Sequence, residues 1–161
     1  MHRTAKEYLH GLERTGEYVF HGSHKKLSRL EPRQPTTSDE KTGRTVPDGE
    51  PAVCATNYAD IAIFRSLISG NRAIEKEMDH YSSFNVKEGK PTFSTTQESL
   101  DRANNPGIVG YVHIFKREGF KKRDDMEWRS KSLIEPIKVI EVHGNDLPND
   151  IQIVSLPTRS F

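Results

Sequence analysis

The chain has 161 residues, the size of one ordinary domain and enough to bury a core. Its 24 Lys and Arg against 23 Asp and Glu leave a net charge of +1, which excludes attachment to nucleic acid or membrane through bulk charge. The one cysteine, Cys54, excludes an internal disulfide and a CxxC-type zinc site. The first residues, Met1-His2-Arg3-Thr4-Ala5-Lys6-Glu7, lack the apolar stretch of a secretory signal, and nowhere do eighteen apolar residues run together. The expectation is a soluble, cytoplasmic, single-domain protein without a membrane partner.

In chain order, Tyr8, Leu9 and Leu12 stand at helical spacing among charges and predict a helix over 3–14 that stops at Thr15-Gly16. Glu17-Tyr18-Val19-Phe20-His21-Gly22-Ser23 is a short apolar strand running into a His-Gly-Ser turn. Leu27 and Leu30, three apart, predict one helical turn before Pro32. From 32 to 51 the chain is rich in Pro, Gly, Thr, Asp and Lys, which predicts a long mobile loop, with 32–50 a candidate lid.

Pro51-Ala52-Val53-Cys54-Ala55-Thr56 reads as a strand of small residues. A helix over 57–68 follows, capped by Thr56 or Asn57, with Asp60 in its first turn and Ile61, Phe64 and Ile68 along one face. Residues 69–79 are polar, either loop or frayed helix tail. The runs 80–86 and 91–95 flank Lys87-Glu88-Gly89-Lys90, a hairpin signal, and a short helix is expected over Gln97–Ala103. The strongest strand is 108–115, and 136–142 and 151–156 alternate as half-buried strands do. The fold class is α+β, helices against mostly antiparallel sheets.

Familiar site chemistry is mostly absent from the pattern. There is no GxGxxG and no P-loop, and His2, His10, His24, His80, His113 and His143 show no metal-ligand spacing. Cys54, inside an apolar strand, reads as structural. Three segments remain: the strand end His21-Gly22-Ser23, the helix after Ala55-Thr56, and Met126-Glu127-Trp128-Arg129-Ser130. Trp128 is expected to anchor the third in the core, which turns Glu127 and Arg129 to the opposite face.

In their order along the chain, Phe20-His21-Gly22-Ser23, the strand and helix over 51–67, Glu127-Trp128-Arg129-Ser130 and the strand over 137–142 resemble the ADP-ribosyltransferase-like superfamily, nearest to the small rifampicin ADP-ribosyltransferases. The likeness covers residues 17–142 and implies two packed, mostly antiparallel sheets with a few short helices. It implies NAD+ as co-substrate, no metal, and transfer of ADP-ribose to an unidentified small-molecule, protein or nucleic-acid acceptor. His21 matches the histidine that bonds a ribose hydroxyl, Gly22, with Ser23 beside it, the glycine whose backbone meets the nicotinamide carboxamide, and Phe64 or Tyr58 the aromatic that stacks on the nicotinamide ring. Glu127 matches the catalytic glutamate of many members. The rifampicin enzymes lack a glutamate there, so Glu127 aligns the chain with the general His-Tyr-Glu pattern. Arg29, Arg33 and Arg65 are candidates for the pyrophosphate. Two rival expectations keep the fold: an RNA 2′-phosphotransferase, and a non-catalytic module that binds NAD+ or ADP-ribose.

Overall fold

The computed structural model describes residues 3–39, 41–68 and 82–155. Helix α1 (Ala5–Thr15) starts where Thr4 Oγ1 accepts the Glu7 N–H at 3.1 Å and stops at Gly16, whose φ of 71° is the expected left-handed cap. Strand β1 (Tyr18–Ser23) follows, but the expected His21-Gly22-Ser23 turn does not form: these residues continue the strand, paired with His113, Val112 and Tyr111 of the strand over Gly110–Lys116, a distant partner that local turn chemistry does not show. No helical turn forms at Leu27 and Leu30; Leu30 instead pairs with Ile134 through backbone bonds of 2.8 and 3.0 Å, a partner far along the chain that local spacing could not reveal.

The stretch expected as an unbroken loop carries an antiparallel pair, β2 (Thr36–Ser38) with β3 (Thr45–Pro47). Strand β4 (Val53–Ala55) leads into α2 (Ala59–Leu67). The α2 cap is neither Thr56 nor Asn57. Tyr58 holds the N-cap position without a side-chain bond, Thr56 Oγ1 accepts the Tyr58 N–H, and Glu13 of α1 accepts the Ala59 N–H at 2.6 Å. A carboxylate brought in by tertiary packing satisfies the free N–H and suits the positive helix end.

Strands β5 (Ser82–Lys87) and β6 (Lys90–Thr95) form the expected hairpin, turning at Glu88 and Gly89 with φ of 52° and 74°, the positive pair that a tight two-residue turn requires. The expectations for 69–79, for His80 and Tyr81 and for Leu156 lie outside the described residues. Helix α3 (Gln97–Ala103) is capped by Thr96 Oγ1, which accepts the Ser99 N–H. Then come β7 (Gly110–Lys116), β8 (Lys121–Lys122), β9 (Trp128–Ser130), β10 (Lys138–Val142) and a brief β11 (Gln152–Ile153), exposed rather than half buried.

The fold is mixed α+β, with several small, mostly antiparallel sheets and a few short helices. Among the described residues the strand orders are β1-β7-β10, β4-β9-β8, β11-β6-β5 and β2-β3, with only β11 parallel to its neighbour β6. The first two meet where Phe20 and Thr56 exchange backbone bonds of 2.7 and 2.8 Å. Strand alternation puts two cores on the two faces of β1: Phe20 joins Ile114, Val112 and the apolar side of α2, and Val19 joins Phe115, Val53 and Phe120. Trp128 packs on the second core, as expected, with the Arg117 guanidinium 5.1 Å from its ring centre.

Helix α2 lies so close to β1 that a Cβ on Gly22 would stand 2.0 Å from the Ala62 carbonyl oxygen. Gly22→Ala should therefore cost about 3 kcal/mol or more in a denaturant melt, whereas Gly107→Ala, where the nearest atom is 3.6 Å away, should change stability by about 0.5 kcal/mol or less. Equal stability of the two variants would show that α2 gives way at Gly22.

Candidate functional site

A cleft of about 580 Å³ opens at the end of β1, walled by α2, β4, the start of β5, the β2–β3 hairpin and the turn before β9. His21, Gly22, Phe64 and Glu127, from three distant segments, all line it. Its volume is that of a small-molecule site, roughly 300–1,000 Å³.

Cross-strand pairing sets His21 opposite His113, their rings 5.9 Å apart and edge-on. His21 Nδ1 donates to the Cys54 carbonyl at 2.8 Å. The Leu27 N–H donates to His113 Nε2, so His113 Nδ1 carries the proton that it gives to the His21 carbonyl at 3.1 Å. These bonds fix the tautomer of each ring, the Leu27 N–H keeps His113 neutral, and neutral His21 presents Nε2 as an acceptor for a hydroxyl. Burial, with the positive Arg65 beside it, pushes the His21 pKa down to about 4 against the hydrogen bond to Cys54. Burial lowers His113 in the same direction.

Glu127 is set by a turn in which Asp124 Oδ1 accepts the Met126 and Glu127 N–H groups at 2.9 and 2.8 Å. Arg129 Nε and Nη2 both donate to Glu127 Oε2, at 3.0 and 2.9 Å. The same guanidinium donates to the Asp48 backbone oxygen at 2.7 Å and to Asp48 Oδ2 at 2.9 Å, and Arg123 closes the group by pairing with Asp48. Glu127 and Arg129 thus share the face away from Trp128, as the strand argument required. Asp48 ties the end of the β2–β3 hairpin to that face.

Four residues singled out in the sequence stand apart: Arg29, which pairs with Glu31, and Arg33, which bonds Ala52 through its backbone, are outside the cleft, as are Ser23 and Tyr58. Ser23 Oγ accepts the Lys25 N–H and Tyr58 caps α2 against the main core, and neither is among the residues lining the cleft. Phe64 lines it, but its side chain is 1% exposed, tilted against Phe93 at 4.9 Å and edge-on to Phe84 at 6.4 Å. Half-buried Phe84, with Arg65 over its ring at 5.7 Å, presents the more accessible aromatic surface. Cys54 is half-buried in the cleft wall; burial first, then the Glu127 carboxylate, push its thiol up and keep it protonated. Phe84, Asp48 and the bracing role of Arg129 escaped the sequence reading, because each depends on a partner distant in the chain. Alternating residues in the 82–87 strand were the one available signal for Phe84.

Among the described residues no group of three or more His, Cys, Asp or Glu is placed to hold a metal, and no helix is long and apolar enough to cross a membrane. No family model, no curated protein and no solved structure matches the chain.

The neutral histidines fix a pH dependence. An unfolded histidine protonates near 6.5, the buried His21 only near 4, so between these values the unfolded chain binds the extra proton. Stability contributed by neutral His21 is therefore present above pH 6.5 and falls as the pH drops toward 4, with His113 acting in the same sense. An NMR titration should show the His21 ring neutral at pH 5 while the melting temperature declines from pH 6.5 downward; a ring that protonates near 6.5 would contradict its burial.

Proposed function

We propose that the protein is an NAD+-dependent ADP-ribosyltransferase of the ADP-ribosyltransferase-like fold, which cleaves the bond between nicotinamide and ribose and passes ADP-ribose to an acceptor. The observation that carries this reading is that His21 and Glu127, more than a hundred positions apart in the sequence, line one cleft together with Gly22 and Phe64. Resemblance of short motifs did not require that convergence.

In this reading His21 Nε2 accepts a hydrogen bond from a ribose hydroxyl, and its neutral state makes that role independent of pH near neutrality. Glu127 faces the nicotinamide ribose. As the glycosidic bond breaks, nicotinamide leaves with the bonding electron pair and the ribose carbon gains positive character, which a nearby fixed carboxylate stabilises until the acceptor's nucleophile bonds to that carbon. Phe84 offers the nicotinamide ring an accessible face, with Phe64 behind it. Arg65, at the cleft wall beside His21, suits the pyrophosphate. Ser23 and Tyr58 have no part in this arrangement.

The test is nicotinamide release from NAD+ by the purified protein, alone and with cell extract as acceptor source. Glu127→Gln should lower turnover about 100- to 1,000-fold while NAD+ still binds, His21→Ala should weaken binding itself, and Tyr58→Phe should leave both within about twofold. Equal turnover in wild type and Glu127→Gln would remove Glu127 from the reaction. Gly22 is unsuited as a probe, since its replacement disturbs α2 before any ligand is involved.

A further inference from the structure

We infer that Arg129 is a positioning residue for Glu127: it fixes the carboxylate for contact with the ribose and couples that orientation to the β2–β3 hairpin through Asp48. The inference rests on the ADP-ribosyl-transfer reading and adds a residue to it.

The geometry is specific to a guanidinium. The Arg129 side chain is only 12% exposed and makes four polar contacts, two on Glu127 Oε2 and two on Asp48. The two Arg129 contacts to Glu127 and the longer one of 3.5 Å from Arg123 Nε all fall on Oε2, which leaves Oε1 as the oxygen for a ligand hydroxyl. A glutamate braced on one oxygen has lost the rotations that would carry the other away from the ribose. The guanidinium makes its four contacts from three nitrogens, Nε, Nη1 and Nη2, whereas an ammonium has one nitrogen with three N–H groups and cannot reproduce all four.

The ion pairs also form a partition. Asp48 and Glu127 line the cleft, whereas Arg123 and Arg129 line a second cavity of about 400 Å³ with Lys121, Lys131 and Glu50. Most of that cavity's cations are already matched, since Lys131 pairs with Glu50 at 2.6 Å and both arginines pair with Asp48 and Glu127. The second cavity is therefore the reverse side of the clamp. Removal of Asp48 frees one half of the guanidinium, so the seating of the hairpin bears on how firmly Glu127 is held.

The experiment is a double-mutant cycle on the purified full chain, with nicotinamide release giving kcat and KM, calorimetry giving NAD+ affinity, and thermal melts confirming folding. Arg129→Met should lower kcat about 100-fold with NAD+ affinity within about threefold of wild type, and Arg129→Lys should recover only a small part. In the Glu127→Gln background Arg129→Met should have no further effect, because a residue that acts through Glu127 has nothing left to position. The same proportional loss in both backgrounds, or full activity of Arg129→Met, overturns the inference and leaves the reaction standing. Wild type that neither binds NAD+ nor releases nicotinamide overturns the reaction and the positioning role together. Where Arg129→Met does not fold, Arg129→Lys carries the same cycle.

Discussion

The seating of α2 on β1 is the contact from which the cleft follows. At Gly22 the Ala62 carbonyl occupies the place of a side chain, and at Gly110 on the neighbouring strand Ser66 does the same, its Oγ 2.3 Å from where a Cβ would stand. Two glycines on adjacent strands thus let a helix backbone reach the sheet, and apolar residues lock it there: Ala59, Ile61, Ala62, Ile63, Phe64 and Leu67 are all buried. Because the helix sits at this depth, Phe64 and Arg65 come level with the end of β1, where His21 turns onto the other face of the strand. A glycine that resemblance would assign to a ligand has a packing reason of its own.

Opposite α2, the cleft is closed by charge rather than by apolar contact. Arg129 holds Glu127 from the turn before β9 and Asp48 from the end of the β2–β3 hairpin, so that two carboxylates share one guanidinium instead of repelling across the cleft. The half-buried position of these groups gives the pairing more weight than a surface ion pair carries. On the side of His21 the same economy appears in hydrogen bonds: the Cys54 carbonyl, the Leu27 N–H and the His21 carbonyl fix two neutral imidazoles without a counter-charge.

Much of this was legible in the sequence where local rules decide the outcome. The α1 stop at Gly16, the hairpin turn at Glu88-Gly89, α3 behind Thr96 and the face shared by Glu127 and Arg129 all follow from neighbours in the chain. What was not legible depends on partners far away. Glu13 caps a helix more than forty residues on, Leu30 pairs with Ile134, and the polar stretch after Pro32 gains a hairpin and an anchor when Asp48 meets Arg129 and Arg123. The site divided the same way: His21 and Glu127 lie in and beside apolar runs where pattern shows them, whereas Tyr58 and Ser23 look equally suitable in the sequence and are outside the cleft.

The central claim is that one cleft holds the nicotinamide end of NAD+ between His21 and Glu127. A crystal structure of the Glu127→Gln protein with saturating NAD+ tests it most directly, since the variant should bind without turning over. The account predicts the nicotinamide ribose within hydrogen-bond distance of His21 Nε2 and of the residue 127 side chain, with the ring against Phe84. NAD+ absent from this cleft, or bound in the cavity lined by Lys121 and Lys131, would contradict it.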